Sequence, residues 1–152
     1  MKIIDYLTED RVKINLESRT KDGILSEMAQ LFLKGNIVDP ENMEQFINDL
    51  KDREKLSSTG LQDGIAIPHA KSEAVNKIAL AVGTISEGAE FDCMDGEMSK
   101  IFFMIAAPES VKNEHLDLLA EISKLSYDEE LLEKLENSTT TEELMSLLKS
   151  FD

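Results

Sequence analysis

Residues 53–70 read Arg-Glu-Lys-Leu-Ser-Ser-Thr-Gly-Leu-Gln-Asp-Gly-Ile-Ala-Ile-Pro-His-Ala: an arginine, a loop rich in hydroxyl groups, a short apolar strand, and a proline followed by a histidine. Proline fixes φ and lacks a backbone N–H, so Pro68 is expected to end the ladder of a strand at Ile65–Ile67 and to stiffen the turn that presents His69. An imidazole held in this way suits a nucleophile or a general base. A surface histidine that merely follows a strand fits the segment equally well.

The composition narrows the class of protein. Hydrophobic residues make up 41% of the 152 residues and charged residues 31%, which is typical of a globular protein. No apolar run approaches the roughly 20 residues that span a bilayer, and a signal-peptide core is missing, so we expect a cytoplasmic protein without direct membrane insertion. The single cysteine, Cys93, excludes an internal disulfide and fits a reducing compartment. The net charge of −15 argues against nucleic acid as a partner.

Two helices are predicted before this segment. Thr20 caps the first, over residues 21–34, and Gly35 supplies the left-handed residue that ends it. Asp39-Pro40 begins the second helix, and Arg53 falls at its C-terminal end. The second helix carries one apolar stripe at helical spacing: Met43, Phe46, Ile47 and Leu50.

The strand pattern predicts a buried sheet. Residues 12–16 alternate between apolar and polar side chains, residues 78–85 are almost all small or β-branched, and residues 101–107 contain no polar residue. Residues 71–76 read as a polar link, and Glu87-Gly88 reads as a turn. Three more helices are predicted at the C-terminal end: one begins near Asn113, and Asp128 and Thr141 cap the other two. Helices that flank strands too apolar for a one-faced sheet indicate a layered α/β domain.

The second histidine, His115, lies in the first turn of the helix that begins near Asn113. The helix dipole disfavours the imidazolium at this position, so the ring is expected to stay neutral and donate one N–H. An ordinary surface histidine on a helix is again an alternative.

Three features match a known family in order and in spacing: Arg53, the Ile-Ala-Ile-Pro-His-Ala segment, whose histidine lies 16 residues after Arg53, and Asn-Glu-His-Leu, whose histidine lies 46 residues after His69. On these motifs the chain resembles the enzyme IIA domains of the bacterial sugar phosphotransferase system (PTS), mannitol/fructose class or type 2. Ala-Ala-Pro-Glu at residues 106–109 looks closest to the fructose branch, whereas Gln62 departs from the glycine or alanine of many members. With the element pattern, the resemblance predicts one domain over residues 1–152, a three-layer α/β/α sandwich with a mixed central sheet.

The resemblance implies that His69 accepts a phosphoryl group from the phosphocarrier HPr and passes it to a cysteine of enzyme IIB, which serves a membrane enzyme IIC. It also places His115 and Arg53 in the active site. These residue types suit the chemistry, because phosphoryl transfer needs a positioned nucleophile and donors for the phosphoryl oxygens. Nothing in this chemistry requires a metal or another cofactor. Three loop residues are further candidates for stabilising the phosphate: Ser57, Ser58 and Thr59.

Two other functions stay open. One is a regulatory protein like the nitrogen-related branch of the family, in which phosphorylation of His69 controls partner proteins. The other is a metal-dependent hydrolase, which two histidines without a dense His/Asp motif support poorly. For a carrier, we expect His69 to lie in a shallow depression rimmed by apolar side chains from residues 61–67 and 116–119.

Overall fold

The structure, a computed structural model, describes residues 2–151 and is built around a mixed five-stranded sheet. The two long strands, β4 and β5, pair antiparallel at its centre. β1 lies parallel to β4, and β2 and β3 both lie parallel to β5 along its other edge. The predicted mixed sheet is therefore confirmed. The strands are β1 Val12–Lys13, β2 Ile65–Ala66, β3 His69–Ser72, β4 Ala79–Ala89 and β5 Ser99–Pro108.

Helices cover both faces of this sheet. The first predicted helix is α-helical only as far as Ala29 and continues as a 3₁₀ segment, Gln30–Leu33, before Gly35 turns the chain with a φ of 81°. A 3₁₀ turn at Pro40–Asn42 leads into the second helix. Within residues 2–151, no helix is both long and apolar enough to cross a membrane. The helices are α1 Lys21–Ala29, α2 Met43–Leu56, α3 Glu114–Ser123, α4 Glu129–Glu136 and α5 Thr141–Phe151.

Alternate side chains of β5 enter two separate hydrophobic layers. Phe102 and Met104 pack with side chains of α1 and α2, whereas Phe103 and Ile105 pack with side chains of α3, α4 and α5. All four side chains are fully buried, and the burial of each stabilises the folded protein by about 1.5–3 kcal/mol relative to an exposed side chain. Because β5 is covered on both faces, its sequence shows no polar alternation. The α/β fold with helical layers on both sides of the sheet agrees with the prediction.

The strand before His69 differs from the prediction in a way that matters for the site. It ends at Ala66, and the chain resumes strand geometry at His69, so the first two residues of the predicted polar link, Lys71 and Ser72, belong to β3. Pro68 lies in the two-residue break between β2 and β3, and the pairing with β5 resumes directly after it. Its carbonyl still accepts a hydrogen bond from Ile105 N–H at 2.9 Å. His69 consequently begins a strand that is paired with the central strand β5.

Two strand lengths are also different. The predicted turn at Glu87-Gly88 lies inside β4, which bulges between Thr84 and Ala89 where Gly88 takes a φ of 82°. In contrast, the alternation over residues 12–16 gives only a two-residue strand. Asn15, with a φ of 54°, breaks the extended conformation.

The cap predicted for α5 is displaced by one residue. Thr140, not Thr141, accepts the hydrogen bond of Glu143 N–H at its hydroxyl, at 3.1 Å. The hydroxyl of Thr141 instead donates to Glu9 at 3.0 Å, which ties the start of α5 to the N-terminal segment. Neighbouring threonines offer the same capping group, so the sequence did not distinguish them.

A carboxyl group of α4 is buried near the start of β2. Glu136, the last residue of α4, packs so closely over Gly64 that a Cβ there would collide with its carboxyl group. Within the described residues its Oε2 atom is buried without a hydrogen-bond partner. Burial raises the pKa of Glu136 to about 7; Lys100 opposes this increase, and Asp63 and Glu133 add to it. The carboxyl group is therefore largely protonated in slightly acidic solution.

Replacing Glu136 by glutamine is expected to change how stability depends on pH. The contribution of Glu136 to the free energy of unfolding is fully present below the ordinary glutamate pKa of 4.5. It is lost as the pH rises through about 7, because this group ionises at lower pH in the unfolded chain than in the folded protein. Glutamine stays neutral, so the variant should gain about 2 kcal/mol relative to wild type between pH 4.5 and pH 8, allowing for partial exposure. Urea unfolding of both proteins over this range measures the difference. A difference in the free energy of unfolding between the two proteins that stays constant over this pH range would contradict the raised pKa of Glu136.

Candidate active site

His69 is held by its own backbone. Its Nδ1 atom lies 2.8 Å from the carbonyl oxygen of Ile67. A carbonyl oxygen only accepts hydrogen bonds, so Nδ1 carries the proton and, in the neutral ring, Nε2 bears a free lone pair. Pro68 lies between the two residues, and its fixed φ restricts the backbone that joins them. The histidine is therefore fixed with one defined nucleophilic atom.

The surroundings of His69 keep the ring neutral. Burial lowers the pKa of His69 most strongly, and the hydrogen bond to Ile67 opposes this effect. The positive charge of Arg53 and the electrostatic interaction with His115 lower the pKa of His69 further, while Glu54 acts in the opposite direction. The net shift is downward, so the lone pair on Nε2 is available at neutral pH.

The structure brings the three sequence-predicted residues together. Arg53, His69 and His115 share an open depression of about 410 Å³, although they come from α2, β3 and α3. The parallel pairing of β3 with β5 explains this convergence, since α3 follows directly after β5 in the chain. Five more residues line the depression: Asp49, Asp52, Leu56, Ala70 and Lys71.

Arg53 lies in the last turn of α2, where a positive charge complements the helix dipole. Its Nη1 atom donates a hydrogen bond to the carbonyl oxygen of Ser57 at 2.9 Å. Within residues 2–151, this is the only hydrogen bond of its guanidinium group, so four N–H donors remain for an anion. One hydrogen bond therefore fixes the guanidinium of Arg53, and its other N–H groups can bind an anion.

His115 is the second residue of α3, and its turn is fastened by a hydrogen bond of 2.8 Å from Tyr6 Oη to Glu114. Its Nδ1 atom is buried and has no hydrogen-bond partner within the described residues. Burial lowers the pKa of His115, and the charge of Lys71 lowers it further. The lowered pKa agrees with the neutral ring that the sequence predicts, with burial and Lys71 as its causes. The unused ring nitrogen is a hydrogen-bonding group that the fold itself does not satisfy.

The three loop hydroxyls lie elsewhere. Ser58 donates to the carbonyl oxygen of Phe91 at 2.8 Å, and the buried Thr59 donates to Glu54 at 2.6 Å. Ser57 contributes its carbonyl oxygen to the guanidinium described above. None of the three lines the depression, and the hydroxyls of Ser58 and Thr59 are already engaged within the fold.

The apolar rim does not lie where the sequence indicated, because no residue of 61–67 or 116–119 lines the depression. Ile65 and Ile67 are 0% and 1% exposed, so they belong to the core and the expectation for residues 61–67 is wrong for them. Leu116, beside His115, is 52% exposed but does not line the depression, and Leu118 of the same segment is 0% exposed. Leu56, which lines the depression, is 81% exposed and was not predicted.

Sequence reasoning also missed the charged lining, although the signal was present. Asp49, Arg53 and Leu56 are spaced i, i+4 and i+7, which places them on one face of α2. Lys71 follows His69 by two residues in β3, so both side chains lie on the same face of that strand. The prediction of a polar link over residues 71–76 did not place Lys71 in a strand, so its position on the same face as His69 was not predicted.

Comparison with known proteins extends these observations. The chain is 35% identical over 153 residues to the PTS system fructose-specific EIIABC component of Bacillus subtilis (strain 168), covering 100% of this chain and 24% of that relative. The nitrogen regulatory protein IIA-Ntr from Neisseria meningitidis superimposes with a TM-score of 0.84 at 27% identity, covering 96% of this chain and 98% of that one. The chain thus spans about a quarter of the fructose-specific relative and nearly all of the nitrogen regulatory protein.

A second similar structure contains a complex. Enzyme IIAMTL of Escherichia coli, solved with phosphorylated enzyme IIBMTL, matches with a TM-score of 0.80 at 25% identity, covering 95% of this chain and 97% of that one. The family model described as "Phosphoenolpyruvate-dependent sugar phosphotransferase system, EIIA 2" matches residues 5–151. Because this match covers nearly the whole chain, the protein belongs to the type 2 enzyme IIA family of the phosphoenolpyruvate-dependent sugar phosphotransferase system.

Proposed function

We propose that this chain, as one IIA domain over residues 1–152, accepts a phosphoryl group from phospho-HPr on Nε2 of His69. It then passes the group to the active-site cysteine of an enzyme IIB that serves a membrane enzyme IIC. The observation that carries the proposal is the free Nε2 lone pair of a neutral His69 in an open depression beside Arg53 and His115. A buried site would not admit a protein donor and a protein acceptor in turn.

Each transfer exchanges one bond to phosphorus for another. The Nε2 lone pair of His69 attacks phosphorus as the bond to the histidine of phospho-HPr breaks. In the second transfer, the thiolate of enzyme IIB attacks phosphorus, and the bond electrons return to Nε2. The proton stays on Nδ1 and is donated to the carbonyl oxygen of Ile67 throughout, so the ring needs no proton exchange between the two steps.

The neighbouring groups suit the transition state. Phosphoryl transfer passes through a loose, in-line arrangement with charge on three equatorial oxygens. The forked guanidinium of Arg53 matches two such oxygens, and the imidazole of His115, which also lines the depression, offers an N–H to a phosphoryl oxygen. Lys71, on the same strand face as His69, adds positive charge to the rim. The donor is already an activated phosphohistidine, so the transfer requires no nucleotide.

Two similarities support the choice of partner. Enzyme IIAMTL forms a complex with phosphorylated enzyme IIBMTL, and a fructose-specific component is among the similar proteins, so we assign a fructose-type IIB as acceptor. The likeness to a nitrogen regulatory protein favours a second function, in which phosphorylated and unphosphorylated forms bind regulatory partners differently and no sugar is moved.

A two-step transfer assay tests both functions. The purified protein is incubated with radiolabelled phospho-HPr and then with the IIB proteins encoded in its own genome. The carrier function predicts stoichiometric labelling followed by discharge onto one IIB cysteine without added nucleotide or metal. Labelling without discharge would favour the regulatory function, and a failure to label would refute both.

A further inference from the structure

Glu54, next to Arg53 in α2, is a buried carboxylate with its hydrogen-bonding capacity in use. Its side chain is 6% exposed. It accepts hydrogen bonds from Thr59 N–H at 2.8 Å and from the Thr59 hydroxyl at 2.6 Å, and Lys21 of α1 lies 2.8 Å away. A buried charge is tolerated only when it is paired and hydrogen-bonded in this way. Glu54 therefore fixes the position of Thr59 in the loop after α2 and links it to Lys21 of α1.

From Thr59, backbone hydrogen bonds lead to the reactive histidine. The carbonyl oxygen of Thr59 accepts from Ile67 N–H at 3.0 Å. The carbonyl oxygen of Ile67 in turn accepts from Nδ1 of His69 at 2.8 Å. Every group in this path is hydrogen-bonded, and Thr59 and Ile67 are 5% and 1% exposed, so water does not compete for these contacts.

We propose that Glu54 is a positioning residue of the active site, and that its carboxylate, acting through Thr59 and Ile67, holds His69 with the proton on Nδ1 and the lone pair on Nε2. This inference rests on the proposed role of His69 as the phosphoryl acceptor. Glu54 does not line the depression, so it acts through the backbone and does not touch the transferred group.

The alternative, a merely structural salt bridge, makes a different prediction. Lys21 also binds Asp92 at 3.2 Å and lies 4.9 Å from the ring centroid of Phe91, so α1 stays attached to this region without Glu54. The ion pair alone would then affect stability only. The path through Thr59 adds a consequence for the ring: if Ile67 shifts, the hydrogen bond to Nδ1 weakens, and the neutral ring populates both tautomers.

The test measures the ring nitrogens of His69 directly. Proteins labelled with ¹⁵N-histidine are compared by NMR at a pH where the ring is neutral: wild type, E54Q, T59V and T59S. Wild type and T59S, which keeps the hydroxyl, should show a single Nδ1–H tautomer. E54Q and T59V should show a mixture, together with phosphoryl transfer slowed about tenfold or more, as when an outer partner of a functional histidine is removed.

The variants also separate the possible failures. A wild-type ring pattern in both E54Q and T59V would overturn the positioning role, even if both were less stable. Because T59V is nearly isosteric, it keeps the test decisive if E54Q does not fold, which amide spectra would show. If the ring pattern changes as expected but phospho-HPr does not label the wild-type protein, the proposed function fails while the positioning role stands.

Discussion

Replacing His69 by glutamine is expected to abolish labelling by phospho-HPr. Glutamine fits in a similar volume, but its amide nitrogen has no lone pair that can bond to phosphorus. The other histidine should not provide a substitute, because we expect His115 to assist as a hydrogen-bond donor to a phosphoryl oxygen and not as a nucleophile. The effect should therefore be a complete loss and not a slower rate.

The measurement is the stoichiometry of transfer from radiolabelled phospho-HPr, followed by the chemical stability of the adduct. The wild-type adduct should be labile in acid and stable in alkali, as expected of phosphohistidine. H115Q is the matched control, since it removes the second imidazole with the same substitution and should still be labelled, although more slowly. Stoichiometric labelling of H69Q would place the acceptor on another residue.

The layers of the fold could be predicted because the buried segments carry strong, periodic patterns. β5 is wholly apolar over residues 101–107, which is typical of a strand covered on both faces, and the structure covers it with helices on each side. In α2, the buried residues Met43, Phe46 and Leu50 fall on the predicted stripe. Patterns of this kind depend on burial alone and do not require knowledge of the strand order.

Short elements defined by long-range pairing could not be predicted. β3 contains an exposed lysine and a buried serine, so its composition resembles a loop, and it becomes a strand only because β5 lies beside it. The buried Ser72 is accommodated by a hydrogen bond of 2.6 Å to Asp49, a partner 23 residues earlier. Such partners are determined by the tertiary structure and not by local spacing.

The residues of the candidate site followed from a family resemblance, whereas their arrangement required the structure. The spacing of Arg53, His69 and His115 matched known motifs, but it gave no indication of which ring nitrogen is free. That depends on one carbonyl group, at Ile67, and on the carboxylate of Glu54 that reaches it through Thr59. Glu54 carries no special pattern in the sequence, since a glutamate near the end of a helix is ordinary.

Replacing Arg53 by alanine is expected to slow phosphoryl transfer about a hundredfold, the typical cost of losing one oriented donor to developing charge. R53K should recover part of this loss, because lysine keeps the charge but lacks the planar fork. K55A is the matched control, since it removes the same charge from the same turn of α2, but Lys55 is exposed and does not line the depression. Rapid-quench measurements with phospho-HPr should give near wild-type rates for K55A and slow rates with full final labelling for R53A. Arg53 also holds the Ser57 carbonyl, so thermal unfolding must show that R53A is folded. Equal rates for R53A and K55A would show that Arg53 acts only through net charge and would remove it from the site.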